Sequence, residues 1–176
     1  MQILLTNDDG IYAPGIAALK HMIQDLGLVT VVAPDVEQSG VGHSITFGHP
    51  LRIREVQVNN ERIGYGVNGS PADCVKLAIY EVMKKKPDVV ISGINMGSNV
   101  GIHILYSGTV AAAVEAAIMG FLSIAVSFEI SGRYDDIHSA AKVAKKVIER
   151  IITHKLPKGS LLNVNIPSIP PIRSKV

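Results

Sequence analysis

Met1-Gln2-Ile3-Leu4-Leu5-Thr6-Asn7-Asp8-Asp9-Gly10 joins a short apolar run to a turn that carries two adjacent carboxylates. Ile3, Leu4 and Leu5 are continuous rather than alternating, the pattern of a strand covered on both faces. Runs of the same kind recur at Val29, Val31 and Val32, at Val89-Val90-Ile91, at Ile124-Ala125-Val126, and at Leu161, Leu162 and Val164. Helical patterns lie between them, over residues 15–26, 72–85, 109–119 and 137–154. In the last, Ile137, Ala141, Ala144, Val147, Ile148 and Ile151 recur at helical spacing, with Lys142, Lys145, Lys146, Glu149 and Arg150 largely between them. Alternation of strand and helix predicts an α/β fold with a doubly wound, mostly parallel sheet. Residues 45–67 break the rhythm; they read as two or three β segments with Asn59-Asn60 as a turn, a β-hairpin insertion.

The 176 residues suit one domain, 47% hydrophobic and 18% charged, which excludes a disordered chain. A net charge of +2 provides no electrostatic argument for nucleic acid, and the one basic cluster, Lys84-Lys85-Lys86, reads as a solvated helix end. Cys74 is the sole cysteine, so an internal disulfide and a thiolate metal cluster are both excluded. No apolar stretch has the length of a membrane span, and the first residues lack a basic segment or cleavage site, so a cytoplasmic location is expected. The segment 167–176, with three prolines and no periodic pattern, reads as the start of a further extension.

In an open α/β sheet ligands bind beyond the carboxyl ends of the strands, which directs attention to three loops. Thr6-Asn7-Asp8-Asp9-Gly10 offers hard oxygen ligands suited to Mg²⁺ or Mn²⁺, and a divalent cation would relieve the repulsion of the paired carboxylates; the same residues also make a good turn. Residues 33–44, from Ala33 through Gln38-Ser39-Gly40-Val41-Gly42-His43 to Ser44, form a long connection in which Ser39 offers a hydroxyl, although a surface loop explains it equally well. Residues 92–101 carry Gly-x-Asn-x-Gly-x-Asn with Asn95 and Asn99, whose amides suit metal and phosphate, and lack the lysine and hydroxyl order of a P-loop. Just beyond, Tyr106-Ser107-Gly108-Thr109 opens an Ala-rich helix, a geometry that serves capping and anion binding alike. Ser70, Pro71 and Asp73 fit a helix start without a catalytic role. Cys74 and Tyr80 read as core, and Glu115 reads as an exposed position or a supporting one.

Taken in order, residues 1–10, 39–44, 69–75, 93–99 and 107–109 resemble the SurE (survival protein E) family over most of the chain. The resemblance implies a Rossmann-like 5′-nucleotidase that hydrolyses nucleoside monophosphates, with a further activity on short polyphosphate. It implies one divalent metal, Mg²⁺ or Mn²⁺, on Asp8, Asp9, Ser39 and Asn95, with phosphate contacts from Asn99, Ser107, Gly108 and Thr109. Asp8 or Asp9 would serve as general base, and His43 is a candidate acid. Relatives carry a C-terminal β arm that exchanges within a homodimer or homotetramer; here the catalytic domain would occupy 1–166, with the arm missing beyond 167–176. Gly69-Ser70-Pro71 stands where the family more commonly has Gly-Thr-Pro. A non-catalytic nucleotide-binding protein using the same anion site is the competing expectation.

Overall fold

The computed structural model describes residues 1–130 and 136–168. Seven strands form one sheet: β1 (Gln2–Thr6), β2 (Leu28–Pro34), β3 (Ile53–Val58), β4 (Glu61–Val67), β5 (Val89–Met96), β6 (Leu122–Phe128) and β7 (Leu161–Ile166). Their order is β3-β4-β2-β1-β5-β6-β7, and every neighbouring pair is parallel except β3 with β4. Among the described residues four α-helices cover the two faces: α1 (Pro14–Ile23), α2 (Pro71–Leu77), α3 (Gly108–Ile118) and α4 (Ile137–Thr153).

The continuous apolar runs are explained by this double cover. Ile3 and Leu5 face Ile16, Leu19 and Ile23 of α1 and Ala141, Ala144 and Ile148 of α4, whereas Leu4 faces Cys74 and Val75 of α2 and Ala112 and Ala116 of α3. All of these are buried. Each Leu, Ile or Val so placed contributes roughly 1.5–3 kcal/mol by its removal from water. No helix among the described residues is long and apolar enough to cross a membrane.

The expected hairpin is present as β3 and β4, turning at Asn59 and Asn60, both in the left-handed region at φ 52° and 65°, and β4 joins it to the main sheet by pairing with β2. Several expectations need correction. No strand forms between residues 45 and 52. The first half of the expected loop 92–101 is strand, because β5 continues to Met96 with an irregular register between Ser92 and Asn95, and the loop proper begins at Gly97. Gly93 permits this: a β-carbon there would lie 2.3 Å from the Val126 carbonyl oxygen, so only glycine lets the two strands stay in contact. The second helix ends early, passing into a π-helical turn over Ala78–Val82, and this leaves Tyr80 exposed rather than in the core. Lys84, Lys85 and Lys86 are exposed beyond that turn. Most of the extension expected at 167–176 lies, from residue 169 on, outside the described residues.

The chain winds outward from β1 through β2 to β4 and β3, then crosses back to β5 and continues to β6 and β7. The order therefore reverses between β1 and β5. A crevice at such a reversal is where an open α/β sheet binds its ligands.

Candidate functional site

Asp8 and Asp9 follow β1 at that reversal, in a turn closed by Asn7, whose side-chain amide donates to the Gly10 carbonyl at 2.9 Å. Asp8 is buried, 4% exposed, and Asp9 is half-buried. The start of α3 comes up against Asp8: the Thr109 hydroxyl donates to Asp8 Oδ1, and the Thr109 backbone N–H also favours the charged form. Gly108 makes this approach possible. A β-carbon there would lie 2.8 Å from Asp8 Cβ, 3.0 Å from Asp8 Oδ2 and 3.1 Å from Pro71 Cγ.

Burial, opposed by the Thr109 bonds, holds the Asp8 carboxyl above its ordinary value. Asp9 is pushed up to about 6, first by burial and second by the charge of Asp8, with the Met96 backbone N–H at the end of β5 opposing the rise. Glu37 adds a third negative charge that raises both groups, a contribution the sequence reading did not anticipate. Asp9 Oδ2 is buried and has no hydrogen-bond partner. Such an oxygen ordinarily costs about 1–3 kcal/mol, more when charged, unless something fills its coordination.

The loop after β2 reaches the same place. Gln38 N–H donates to the Asp8 carbonyl at 2.7 Å, and Gly42 N–H donates to the Tyr106 carbonyl at 3.0 Å, so the loop is pinned on both sides of the start of α3. Ser39 lies next to the first pin, exposed, its hydroxyl donating to Glu37 Oε1 at 2.6 Å. Asn95 is half-buried at the end of β5; its amide donates to the Gly97 carbonyl at 2.7 Å, which leaves its own oxygen for another partner. Among the described residues no three His, Cys, Asp or Glu side chains gather as a metal cluster, so a cation here would need the hydroxyl and amide oxygens as well as carboxylates.

Ser107 is the N-cap of α3, its Oγ accepting Val110 N–H at 3.1 Å. Asn99 is buried and anchored at the ends of β6 and β7, with its amide donating to Ser127 Oγ at 2.8 Å. Thus Asp8, Asp9, Gly108 and Thr109 share one centre, Ser39 and Asn95 adjoin it through Gln38 and Met96, and Asn99 is held from the neighbouring strands. Ser70 and Asp73 form the expected reciprocal cap. Glu115, expected to be exposed or supporting, is buried at 8% exposure, accepts from His43 Nε2 at 2.7 Å and pairs with the Lys76 ammonium at 3.5 Å. Reading the sequence also passed over Ser127, Asn163 and Asn165; the only trace of them was two amides spaced one residue apart within an otherwise apolar strand.

Fold and site together define an α/β protein with an acidic, oxygen-donor centre at its topological switch point. The chain belongs to the SurE family: residues 3–176 match the family model described as Survival protein SurE. It is 48% identical to the 5′-nucleotidase SurE of Syntrophobacter fumaroxidans over 97% of this chain and 68% of that protein. It is 51% identical to the 5′-nucleotidase SurE of Rhodopirellula baltica over 96% of this chain and 66% of that one. The crystal structure of SurE protein from Aquifex aeolicus is similar at a TM-score of 0.87 and 44% identity, covering 96% of this chain and 67% of that one. The chain therefore spans about two thirds of the length of the relatives it matches.

Proposed function

We propose that this chain is a phosphomonoesterase that releases phosphate from nucleoside 5′-monophosphates, short polyphosphate being a second substrate, at a single divalent cation held by Asp8, Asp9, Ser39 and Asn95. The observation that carries this reading is the unpartnered, buried Oδ2 of Asp9 beside a second buried carboxylate. The donors are all hard oxygens, which suits Mg²⁺ or Mn²⁺. When bound, such a cation neutralises the pair, polarises a phosphoryl oxygen and makes water more acidic.

The protein's own groups supply the rest. Thr109 holds Asp8 in place by its hydroxyl and backbone N–H. Asp8 or Asp9 would accept the proton from attacking water, through a carboxylate oxygen not engaged by the cation. At the start of α3 the Ser107 oxygen accepts from Val110, which leaves its proton, together with the Gly108 N–H and the positive end of the helix, for phosphoryl oxygens. The Asn99 amide adds a further donor. The names borne by the relatives support the substrate class. A homodimer or homotetramer and a cytoplasmic setting belong to the same proposal, on the family's strength alone.

The deciding assay measures phosphate released from GMP and AMP with Mn²⁺ and with a chelator. Metal-dependent turnover is expected. Binding of the monophosphate without turnover would replace this reading by a nucleotide-binding role.

A further inference from the structure

Asn163 and Asn165 stand two residues apart on β7 and so share one face of the strand. Both reach across to the residue that follows the β5 loop. Asn165 Oδ1 accepts Asn99 N–H at 2.7 Å, while Asn165 Nδ2 and Asn163 Nδ2 donate to the Asn99 carbonyl at 3.2 and 2.8 Å. From β6, Ser127 Oγ accepts the Asn99 side-chain amide at 2.8 Å. Ser127 is the register partner of Asn95 on one side and of Asn165 on the other, so a polar row runs across three strands at their carboxyl ends.

This arrangement exceeds what a loop needs. A backbone N–H and C=O near the surface are satisfied by water or by a turn, whereas here three side chains from two strands converge on one residue. The strand gives up apolar packing to supply them, and Asn163 Oδ1 is left buried without a partner. A primary amide has two hydrogens; Ser127 takes one from Asn99, and the backbone clamp fixes the direction of the other.

We propose that Asn163, Asn165 and Ser127 are positioning residues that hold Asn99 so that its remaining amide hydrogen meets a phosphoryl oxygen. The inference rests on the phosphomonoesterase reading above. If the clamp serves only to stitch the loop to the sheet, its loss lowers stability and leaves catalysis alone.

The test is a double-mutant cycle on the full chain with Asn165→Ala, Asn99→Ala and both together, read as kcat/KM on GMP with Mn²⁺ and as inhibition by inorganic phosphate. Asn165→Ala is expected to lower kcat/KM about tenfold and to weaken phosphate inhibition by a similar factor, with an unchanged midpoint for Mn²⁺. In the Asn99→Ala background the same substitution is expected to cost less than about twofold, since its effect passes through Asn99. Equal losses in both backgrounds, or a lower melting temperature with normal kcat/KM, would overturn the clamp. Should Asn165→Ala fail to fold, Ser127→Ala, which removes the anchor of the Asn99 side chain alone, goes through the same cycle with the same criterion. A wild-type chain lacking metal-dependent turnover overturns the reading of the whole site; a wild-type chain that turns over while the losses add overturns the clamp only.

Discussion

Replacing Asp9 by Asn removes one of two adjacent charges while preserving shape. In the metal-free protein this should stabilise. Asp9 is raised to about 6 by burial and by Asp8, whereas an unfolded aspartate titrates near 4. The folded state therefore binds more protons than the unfolded state between those values, and stability falls as pH rises through that window. Below about pH 4 both states are protonated and Asp9 costs nothing; above about pH 6 the full penalty is present. At 1.36 kcal/mol per pH unit the ceiling is about 3 kcal/mol, and solvent screening at a half-buried group reduces it to ~1 kcal/mol. For a domain of this size that raises Tm by about 2–4 °C. In chelator at pH 8 the Asp9→Asn protein should thus melt above wild type, and the two curves should converge near pH 4. With Mn²⁺ the order should reverse, because binding at a hundredfold excess over Kd would stabilise wild type by about 2.7 kcal/mol and the variant lacks one of the proposed ligands. Differential scanning calorimetry across pH, with and without Mn²⁺, reads all of this. An Asp9→Asn protein that keeps the full Mn²⁺ shift would show that Asp9 is no ligand, and one that melts below wild type in chelator at pH 8 would show that the paired carboxylates carry no strain.

Ser107→Ala should cost about 1 kcal/mol through loss of the cap to Val110 and lower kcat/KM about tenfold through loss of a bond to a charged group. A destabilised protein with normal kcat/KM would return Ser107 to capping alone. Gly108→Ala inserts a methyl group 2.8 Å from Asp8 Cβ, and overpacking of this kind costs about 1–3 kcal/mol; the Mn²⁺-induced melting shift should shrink with it, which a melt titrated with metal would show. Glu115→Ala releases His43 and Lys76 from a buried carboxylate and should lower unfolding stability by about 1–2 kcal/mol. Urea unfolding checks this, and a change within error would mean the cluster is solvated in solution.

The fold was legible wherever burial on two faces forced continuous apolar runs, as at Ile3-Leu4-Leu5 and Ile124-Ala125-Val126, and wherever capping chemistry was local, as at Ser70 with Asp73. The acidic turn was legible because nothing in a strand end requires two carboxylates. What escaped was non-local. Gly93 looked like loop punctuation because its partner, the Val126 carbonyl, is more than thirty residues away. The sequence pattern sets Tyr80 on the same helix as Cys74 and hence in the core, but that helix ends at Leu77 and Tyr80 is exposed in the π-helical turn over Ala78–Val82. Glu115 stood alone among alanines until His43 and Lys76 arrived from other segments, and the two asparagines of β7 showed no purpose until Asn99 was set beside them.

Because Asn99 is held from β7, the last strand in the order of the described sheet, its setting depends on a strand that, among the described residues, is bonded along one side only. Such a strand frays at a lower free energy than the central β1 and β5. Gentle heating or dilute urea should therefore blunt the proposed grip on phosphate while Asp8 and Asp9 still sit at the centre of an intact sheet. Amide hydrogen exchange would show β7 opening before β1 and β5, and enzyme activity would fade at temperatures where circular dichroism still reports a folded protein.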